Sequence, residues 1–386
     1  MDTNNTVYLD YAATTPVDPR VITAMLPYFH DTFGNPSSVH VFGQRAEAAL
    51  EAARDKTARA LNAKTTEIIF TANGTESDNL ALRGIAFAEK RKRGANHILI
   101  SPVEHHAVSA TAHQLADEFG FELEFLPVDE YGRVNAENIK DRIRPETAVV
   151  SVIYANNEIG TINPVGEIGA VCRVAGVPFH SDAVQAAAHL PVDVHKDQVD
   201  LLSIGAHKFY GPKGVGALFV KNGTDLLPTM TGGKQENGLR AGTQNIPYIV
   251  GLAEALSLAA AERTQRNQQD SLLRDRIIGR VLEEIPDARL TGHPTMRLPN
   301  HASFVFTGAD GNRLLMLLDV AGFACSSGSA CKVGQPEPSE VLSAIGLNRE
   351  WALGSLRVTV GSGTTADQVD RFLDVLPGLV EKARRK

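Results

Sequence analysis

Between residues 65 and 220, short runs of β-branched and other apolar residues alternate with segments of helical periodicity. The apolar runs lie at 66–70, 97–101, 148–154, 177–181, 201–204 and 216–220. After the first run, Leu80, Ala81, Ile85 and Ala88 fall on one side of a predicted helix. Continuous apolar strands separated by helices are typical of a mostly parallel sheet covered on both faces. The sequence therefore predicts an α/β fold here.

A different pattern follows and begins with a long predicted helix over 247–284. After it we predict a strand at 300–306, a helix at 311–320 and a cysteine-containing segment at 322–338. A further helix from Ser339, a strand at 355–360 and a last helix to the C-terminus follow. This order indicates a smaller α+β domain. We expect a large domain over 16–260 and a small domain formed by 1–15 and 261–386.

The composition argues against several classes of protein. The 386 residues are 43% hydrophobic and 22% charged, with a net charge of −7, which is typical of a globular chain and disfavours nucleic acid as the main partner. No apolar stretch reaches the roughly 18 residues of a membrane span. The start, MDTNNTVYLDY, lacks the basic and apolar regions of a signal peptide. We therefore expect a cytoplasmic protein with no membrane partner and with reduced thiols.

Polar residues follow each of five apolar runs. These clusters are NGTES at 73–77, EHH at 104–106, NNE at 156–158, DAVQ at 182–185 and HK at 207–208. In an open parallel sheet, ligands bind outside the carboxyl ends of the strands. The five clusters are therefore predicted to line one crevice.

The residue types in these clusters suggest a particular ligand. Gly74 and Thr75 lie where a strand meets a helix, which suits a phosphate, although a plain helix cap at Thr75 explains them equally well. Asp182 follows a strand, and the alternative is a structural turn. Lys208 follows an apolar strand and precedes the rigid FYGPKGVG turn, and a lysine in a crevice can form a Schiff base when burial lowers its pKa. A phosphate cradle, such a lysine and an Asp that can pair with a pyridine nitrogen together describe pyridoxal phosphate.

Two of the three cysteines, Cys325 and Cys331, lie in GFACSSGSACKVGQPEPSEVL at 322–342. The small and turn-prone neighbours predict a mobile surface loop. Cys325 follows the apolar GFA and is expected to be a packed residue, as is Cys172 within a predicted helix.

The order of motifs resembles that of cysteine desulfurases of the NifS/IscS type, which are pyridoxal-phosphate enzymes of fold type I. The resemblance runs from about residue 7 to 362 and is carried by DYAATTP, FGNPSS, TESDN, EH, NNEIG, HSDAVQ, AHKFYGPKG, LRAGT, SSGSAC and LRVTVG. It implies a large domain with a mostly parallel seven-stranded sheet sandwiched by helices, plus a smaller α+β domain.

The resemblance implies roles for residues at matching positions. Lys208 would hold the cofactor and move the α-proton, His105 would stack on the ring and assist, and Cys331 would be the nucleophile. The cofactor-binding set would be Gly74, Thr75, His105, Asn156, Asp182, Gln185, Gly205, His207, Lys208 and, from the partner subunit of a homodimer, Thr243. The residues for the substrate would be Asn35, Asn156 and Arg357, and no metal is expected.

The implied reaction converts L-cysteine to L-alanine and leaves a persulfide on Cys331. The sulfur would then pass to an acceptor such as an iron–sulfur scaffold or a tRNA-thiolation protein. A selenocysteine lyase, a catalytically silent sulfur-transfer or scaffold subunit and an ordinary transaminase are the alternatives. Intact Lys208 and Asp182 disfavour the silent subunit, and a transaminase leaves the cysteine loop without a task.

Several positions differ from the pattern of that group. Gly205 stands where a serine is usual, Lys234 and Asn237 stand in place of a glycine and an arginine, and Ser362-Gly363 replaces Arg-Phe. The segment KVGQPEPS after Cys331 also replaces a small, hydroxyl-rich run. None of these differences touches Lys208, Asp182, His105 or Cys331.

Overall fold

The computed structural model of the protein describes residues 6–327 and 337–384. Its helices are α1 to α12 at Pro19–Met25, Pro27–His30, Val41–Leu61, Gly74–Arg93, His106–Phe119, Ala136–Lys140, Val165–Ala175, Ile246–Glu284, Gly311–Val320, Glu340–Ala344, Arg349–Leu353 and Ala366–Arg384. Its strands are β1 to β12 at Val7–Tyr8, Ile68–Thr71, His97–Ile100, Glu122–Phe125, Thr147–Ser151, Phe179–Asp182, Leu201–Gly205, Gly216–Val220, Ala288–Leu290, His301–Phe306, Phe323–Ala324 and Ser355–Thr359.

The central sheet has seven strands in the order β2-β8-β7-β6-β5-β3-β4. All neighbours run parallel except β8, which is antiparallel to both β2 and β7. The α/β fold with a mostly parallel seven-stranded sheet is therefore confirmed. No helix in the described ranges is both long enough and apolar enough to cross a bilayer.

The sheet is buried on both faces, which explains its continuous apolar strands. One face packs on α4 and α5 through residues such as Ile85 and Leu115. The other face packs on α3, α7 and the first half of α8, and includes Leu50, Cys172 and Leu252. Helices on both faces leave only the ends of the strands open to a ligand.

A second core lies around the smaller sheets. Strands β9, β10 and β12 form an antiparallel sheet, and β1 pairs with β11. The second half of α8 contributes Ile277 and Val281 to this core, and the N-terminal Val7 and Leu9 join it. The domain boundaries at residues 16 and 260 stay a prediction, which this distribution of the two cores supports.

The sequence did not predict strand β4 of the central sheet, the short strands β1, β9 and β11, or the helices α1, α2, α3 and α6. Strand β4 is an edge strand with the sequence ELEF, and none of its four residues is fully buried. It carries no β-branched residue, so the signal that identified the central strands is absent.

Candidate active site

The carboxyl ends of the parallel strands surround a cavity of about 260 Å³. It brings together eight residues predicted from sequence: Gly74, Thr75, His105, Asp182, Gln185, His207, Lys208 and Arg357. Arg357 comes from β12 of the smaller sheet, so both cores contribute to the site.

The first turn of α4 forms one wall. Asn73 caps this helix, because its Oδ1 accepts a hydrogen bond of 2.8 Å from the backbone N–H of Glu76. The alternative of a cap at Thr75 is therefore wrong, and Gly74 and Thr75 are the first helical residues. A Cβ on Gly74 would lie 2.7 Å from Cγ2 of Val184, so only glycine fits. The wall thus presents helix N-terminal amides, which favour an anion.

Lys208 has the environment of a reactive amine. Its Nζ donates hydrogen bonds of 2.6 and 2.7 Å to the carbonyl oxygens of Ala12 and Ala13. Burial, followed by the charge of Arg357, lowers the pKa of Lys208 to about 8, against the opposing effect of Asp10 and Asp182. A substantial fraction of the amine is therefore neutral near pH 8 and able to attack a carbonyl carbon.

Asp182 ends β6 with its carboxyl group in the cavity. Its Oδ1 accepts a hydrogen bond of 2.8 Å from the backbone N–H of Val184. Burial and the neighbouring Asp78 raise the pKa of Asp182 to about 7. This carboxyl group would gain most from a cationic partner, such as a protonated pyridine nitrogen.

The two histidines of the cavity are neutral near pH 7. Nδ1 of His105 accepts a hydrogen bond of 3.1 Å from the N–H of Ala107 and caps α5, which leaves the proton on Nε2. Burial lowers the pKa of His105. Burial and Lys208 lower the pKa of His207 to about 4, and its Nδ1 lies 3.2 Å from Oγ1 of Thr14. Neutral rings can stack or donate a hydrogen bond without adding charge.

Arg357 is held between two acceptors. Its Nη1 donates to the carbonyl oxygen of Asn157 and its Nη2 to Oδ1 of Asp10, both at 2.8 Å. Its backbone also exchanges two hydrogen bonds with Ser326, at 2.7 and 3.3 Å. The residue predicted to bind the substrate is therefore tied directly to the start of the cysteine segment.

The other predicted residues lie elsewhere. Asn156 is buried, where its amide donates to the carbonyl oxygen of Val103 and its Oδ1 accepts from the N–H groups of Glu158 and Ile159. Asn157 lines the cavity in its place.

Asn35 and Thr243 are exposed and outside the cavity, and Oδ1 of Asn35 accepts from the N–H of Ser37. Gly205 ends β7 next to Gly74 but is not among the residues that line the cavity. Cys331 lies outside the described residues, whereas Cys325 packs against the second core.

Sequence reasoning missed several contributors. Asp10, Ala12 and Ala13 belong to the quoted DYAATTP motif, yet their contacts with Arg357 and Lys208 arise only in the folded chain. Asp78 lies in the quoted TESDN motif and also lines the cavity. The motifs were the available signal, but spacing alone could not assign these residues to the site.

Comparison with known proteins identifies the family. The aminotransferase class-V family model matches residues 7–372. The chain belongs to this family. Aminotransferase class-V proteins of this type depend on pyridoxal phosphate.

Among curated relatives within the aminotransferase class-V family, the chain is 47% identical to cysteine desulfurase IscS of Clostridium botulinum, covering 99% of this chain and 96% of the relative. It is 48% identical to cysteine desulfurase IscS of Methanosarcina thermophila, covering 99% and 93%. A solved NifS-like protein superposes with a TM-score of 0.90 at 34% identity, covering 98% of this chain and 100% of that one.

The cavity fits the cofactor of the aminotransferase class-V family. It offers helix N-terminal amides for a phosphate, an amine of lowered pKa for a carbonyl carbon, and a buried carboxyl group that needs a cation. Nε2 of Gln185 donates to the carbonyl oxygen of Ala12 at 2.9 Å and borders the same cavity. The phosphate, the aldehyde carbon and the pyridine nitrogen of the cofactor therefore each have a complementary group in the cavity.

Proposed function

We propose that this protein is a pyridoxal-phosphate-dependent L-cysteine desulfurase, as the curated relatives are named. The observation that carries the proposal is the convergence of Lys208, Asp182 and Arg357 on one cavity. When bound, the cofactor supplies an electron sink for the substrate α-carbon. The chain's own residues supply binding, orientation and proton transfer.

Each residue has one task in this proposal. Gly74, Thr75 and His207 bind the phosphate, and Asp182 pairs with the ring nitrogen. The amine of Lys208 holds the cofactor and then moves the substrate's α-proton. His105 faces the ring and assists with its Nε2 proton.

The guanidinium of Arg357 binds the substrate carboxylate, for which its planar fork is suited.

Cys331 is proposed to accept the sulfur. Its thiolate attacks the sulfur of the bound cysteine, the substrate Cβ–S bond breaks and an S–S bond forms on Cys331. The electron pair left at Cβ is protonated, which yields alanine. The segment begins at Ser326, whose backbone exchanges hydrogen bonds with that of Arg357, and this contact supports the proposal.

We expect the purified protein to absorb at ~420 nm. With L-cysteine and a reductant, it should release alanine and sulfide in equal amounts. In Cys331→Ala, the absorbance should persist while persulfide formation and turnover are lost. Assays of alanine and of protein-bound persulfide check this prediction. Sustained turnover in that variant would contradict the role of Cys331, and a protein that cannot be loaded with pyridoxal phosphate would contradict the whole proposal.

A homodimer is part of the proposal. The N-terminal part of the chain exposes an apolar surface, which we define as Ile22, Leu26, Phe29, Phe33, Val39, Val41 and Phe42. Val39 is 90% exposed and Phe33 65%. Such a concentration of exposed apolar side chains indicates an interface. A second copy would cover this surface, and exposed Thr243 would then reach the partner's phosphate.

We further propose that the protein acts in the cytoplasm, where thiols stay reduced. Its sulfur acceptor would be an iron–sulfur scaffold or a tRNA-thiolation protein.

A further inference from the structure

Asp78 is a buried carboxyl group that the proposed reaction does not use. It lies on α4, is 1% exposed and lines the cavity. Its carboxyl oxygens, those of Asp182 and the ring nitrogens of His105 provide ligand atoms that all lie within 4.8 Å of one another. Oδ1 of Asp78 has no hydrogen-bond partner among the described residues. Two buried carboxyl groups therefore share one small space.

The cation-forming groups around Asp78 do not neutralise it. His180 on β6 approaches closest, with Nε2 at 3.5 Å from Oδ1 of Asp78. Its ring lies between the hydroxyls of Ser151 on β5 and Ser203 on β7, at 2.9 and 3.0 Å. Burial lowers the pKa of His180 to about 4, so this ring is neutral.

The remaining charged groups are engaged in other contacts or add negative charge. Lys208 donates to Ala12 and Ala13, and Arg357 pairs with Asp10. Glu104, before α5, is a third buried carboxyl group, and burial raises its pKa well above the usual range. The space therefore cannot hold two carboxylate charges without a large cost in free energy.

The backbone decides which of the two groups ionises. Oδ1 of Asp182 accepts the backbone N–H of Val184, a fixed donor that stabilises its charged form. Oδ1 of Asp78 has no partner among the described residues, and the donor to this carboxyl group is the hydroxyl of Ser203, which can equally accept a hydrogen bond from a protonated Asp78. Burial raises the pKa of both groups to about 7, and the repulsion between Asp78 and Asp182 makes them titrate as one coupled pair. The fixed backbone donor therefore favours the charge on Asp182 and the proton on Asp78.

We propose that Asp78 and Asp182 form a carboxyl pair with a single negative charge, in which Asp78 is a positioning residue that stays protonated and leaves the charge on Asp182. The consequence for the cofactor rests on the proposed function: Asp182 would then be the one anion facing the pyridine nitrogen. The pair itself depends only on this chain's residues.

The test compares the thermal unfolding of the wild-type protein and Asp78→Asn across pH. A buried carboxyl group has a higher pKa in the folded chain than in the unfolded chain, where it is roughly 3.9. Its contribution to stability is therefore fully present below about pH 3.9 and is lost as the pH rises toward the folded pKa. Asp78→Asn cannot ionise, so its Tm relative to wild type should increase by a few degrees between about pH 5 and about pH 8. A Tm difference that does not change with pH would overturn the proposal.

The coupling of the two groups needs a second background. In a chain carrying Asp182→Asn, no charge on residue 182 repels Asp78. The rise in Tm that Asp78→Asn produces between about pH 5 and about pH 8 should therefore be smaller in that background. An equal gain in both backgrounds would contradict the shared charge. A wild-type Tm that falls on adding EDTA would indicate a bound divalent cation and would also overturn the proposal.

The same comparison, repeated with and without pyridoxal phosphate, separates the two proposals. Failure of the proposed function would appear as a chain that binds no cofactor while the pH-dependent gain persists. Failure of the carboxyl pair would appear as a protein that binds the cofactor but shows no pH-dependent rise in the Tm difference when it is cofactor-free.

Discussion

Gly205 is a single residue at which this chain departs from the motif pattern described above, which leads us to expect a serine. A Cβ built on Gly205 would lie 3.5 Å from the backbone nitrogen of Gly74 and 3.6 Å from Cγ1 of Val184. These are ordinary contact distances, so a side chain fits without displacing its neighbours. The position also lies beside the Gly74 amide, which is one of those proposed to bind phosphate.

Gly205→Ser should therefore tighten the binding of pyridoxal phosphate. A hydrogen bond to a charged group contributes roughly 1.5–3 kcal/mol, which corresponds to about tenfold or more in affinity. Titration of the cofactor-free protein, followed by absorbance, measures the change. Gly205→Ala is the matched control, because it adds the Cβ without the hydroxyl. An equal gain in both variants would mean that the hydroxyl contributes nothing.

A second difference has a steric explanation. A Cβ on Gly363 would lie 2.9 Å from the Tyr11 hydroxyl oxygen, and a Cβ on Gly361 would lie 2.3 Å from the same ring. The backbone N–H of Ser362 donates to the hydroxyl of Tyr210 at 2.9 Å. Tyr11 thus occupies the space into which a larger residue at 363 would project.

At the scale of elements, the loop over 232–243 is held by one buried ion pair. Glu236 accepts hydrogen bonds of 2.8 and 2.9 Å from the guanidinium of Arg54 on α3, and one of 2.9 Å from the N–H of Phe70 on β2. Glu236 and Asn237 both have positive φ, at 46° and 58°. The buried contacts offset this backbone strain and fix the loop that carries Thr243.

Glu236→Ala should reduce the free energy of unfolding by roughly 3–5 kcal/mol, because it leaves the buried guanidinium of Arg54 without its main partner. Glu51→Ala is the control: this residue also pairs with Arg54, at 3.1 Å, but its side chain is 57% exposed. An exposed pair contributes about 1 kcal/mol or less. Denaturant unfolding measures both variants, and similar losses would contradict the importance of burial.

At the scale of the whole molecule, the exposed apolar surface from Ile22 to Phe42 and the cavity are linked through the proposed homodimer. The rings of Phe33 and Phe42 lie 5.6 Å apart and form part of that surface. If Thr243 completes the partner's phosphate site, the loss of the dimer also weakens cofactor binding.

Phe33→Glu should therefore produce monomers and weaken the retention of pyridoxal phosphate, since a charge opposes burial of the surface. Analytical ultracentrifugation and the absorbance of the bound cofactor measure the two effects. Val174→Glu is the control, because Val174 is 89% exposed on α7, outside that surface. A Phe33→Glu protein that remains dimeric would exclude this surface as the interface.

The sequence by itself determined the class of fold and the residue types of the site. Strands fully buried on both faces must be apolar throughout, so β5, β7 and β8 could be identified from their composition. Polar residues at the carboxyl ends of the parallel strands β5, β6 and β7 were then expected to share one edge, which located Asp182 and Lys208 in advance.

Only the tertiary structure decided which neighbours these residues have. The pairing of Arg357 with Asp10 joins positions 347 residues apart. Motif order could not distinguish Asn157 in the cavity from Asn156 beneath it, because adjacent residues of a turn point in different directions. The lowered pKa of Lys208 and the raised pKa of Asp182 depend on burial and on nearby charges. The two pKa shifts are properties of the folded chain, because the burial of a side chain and its distance from other charges are set only when the chain packs.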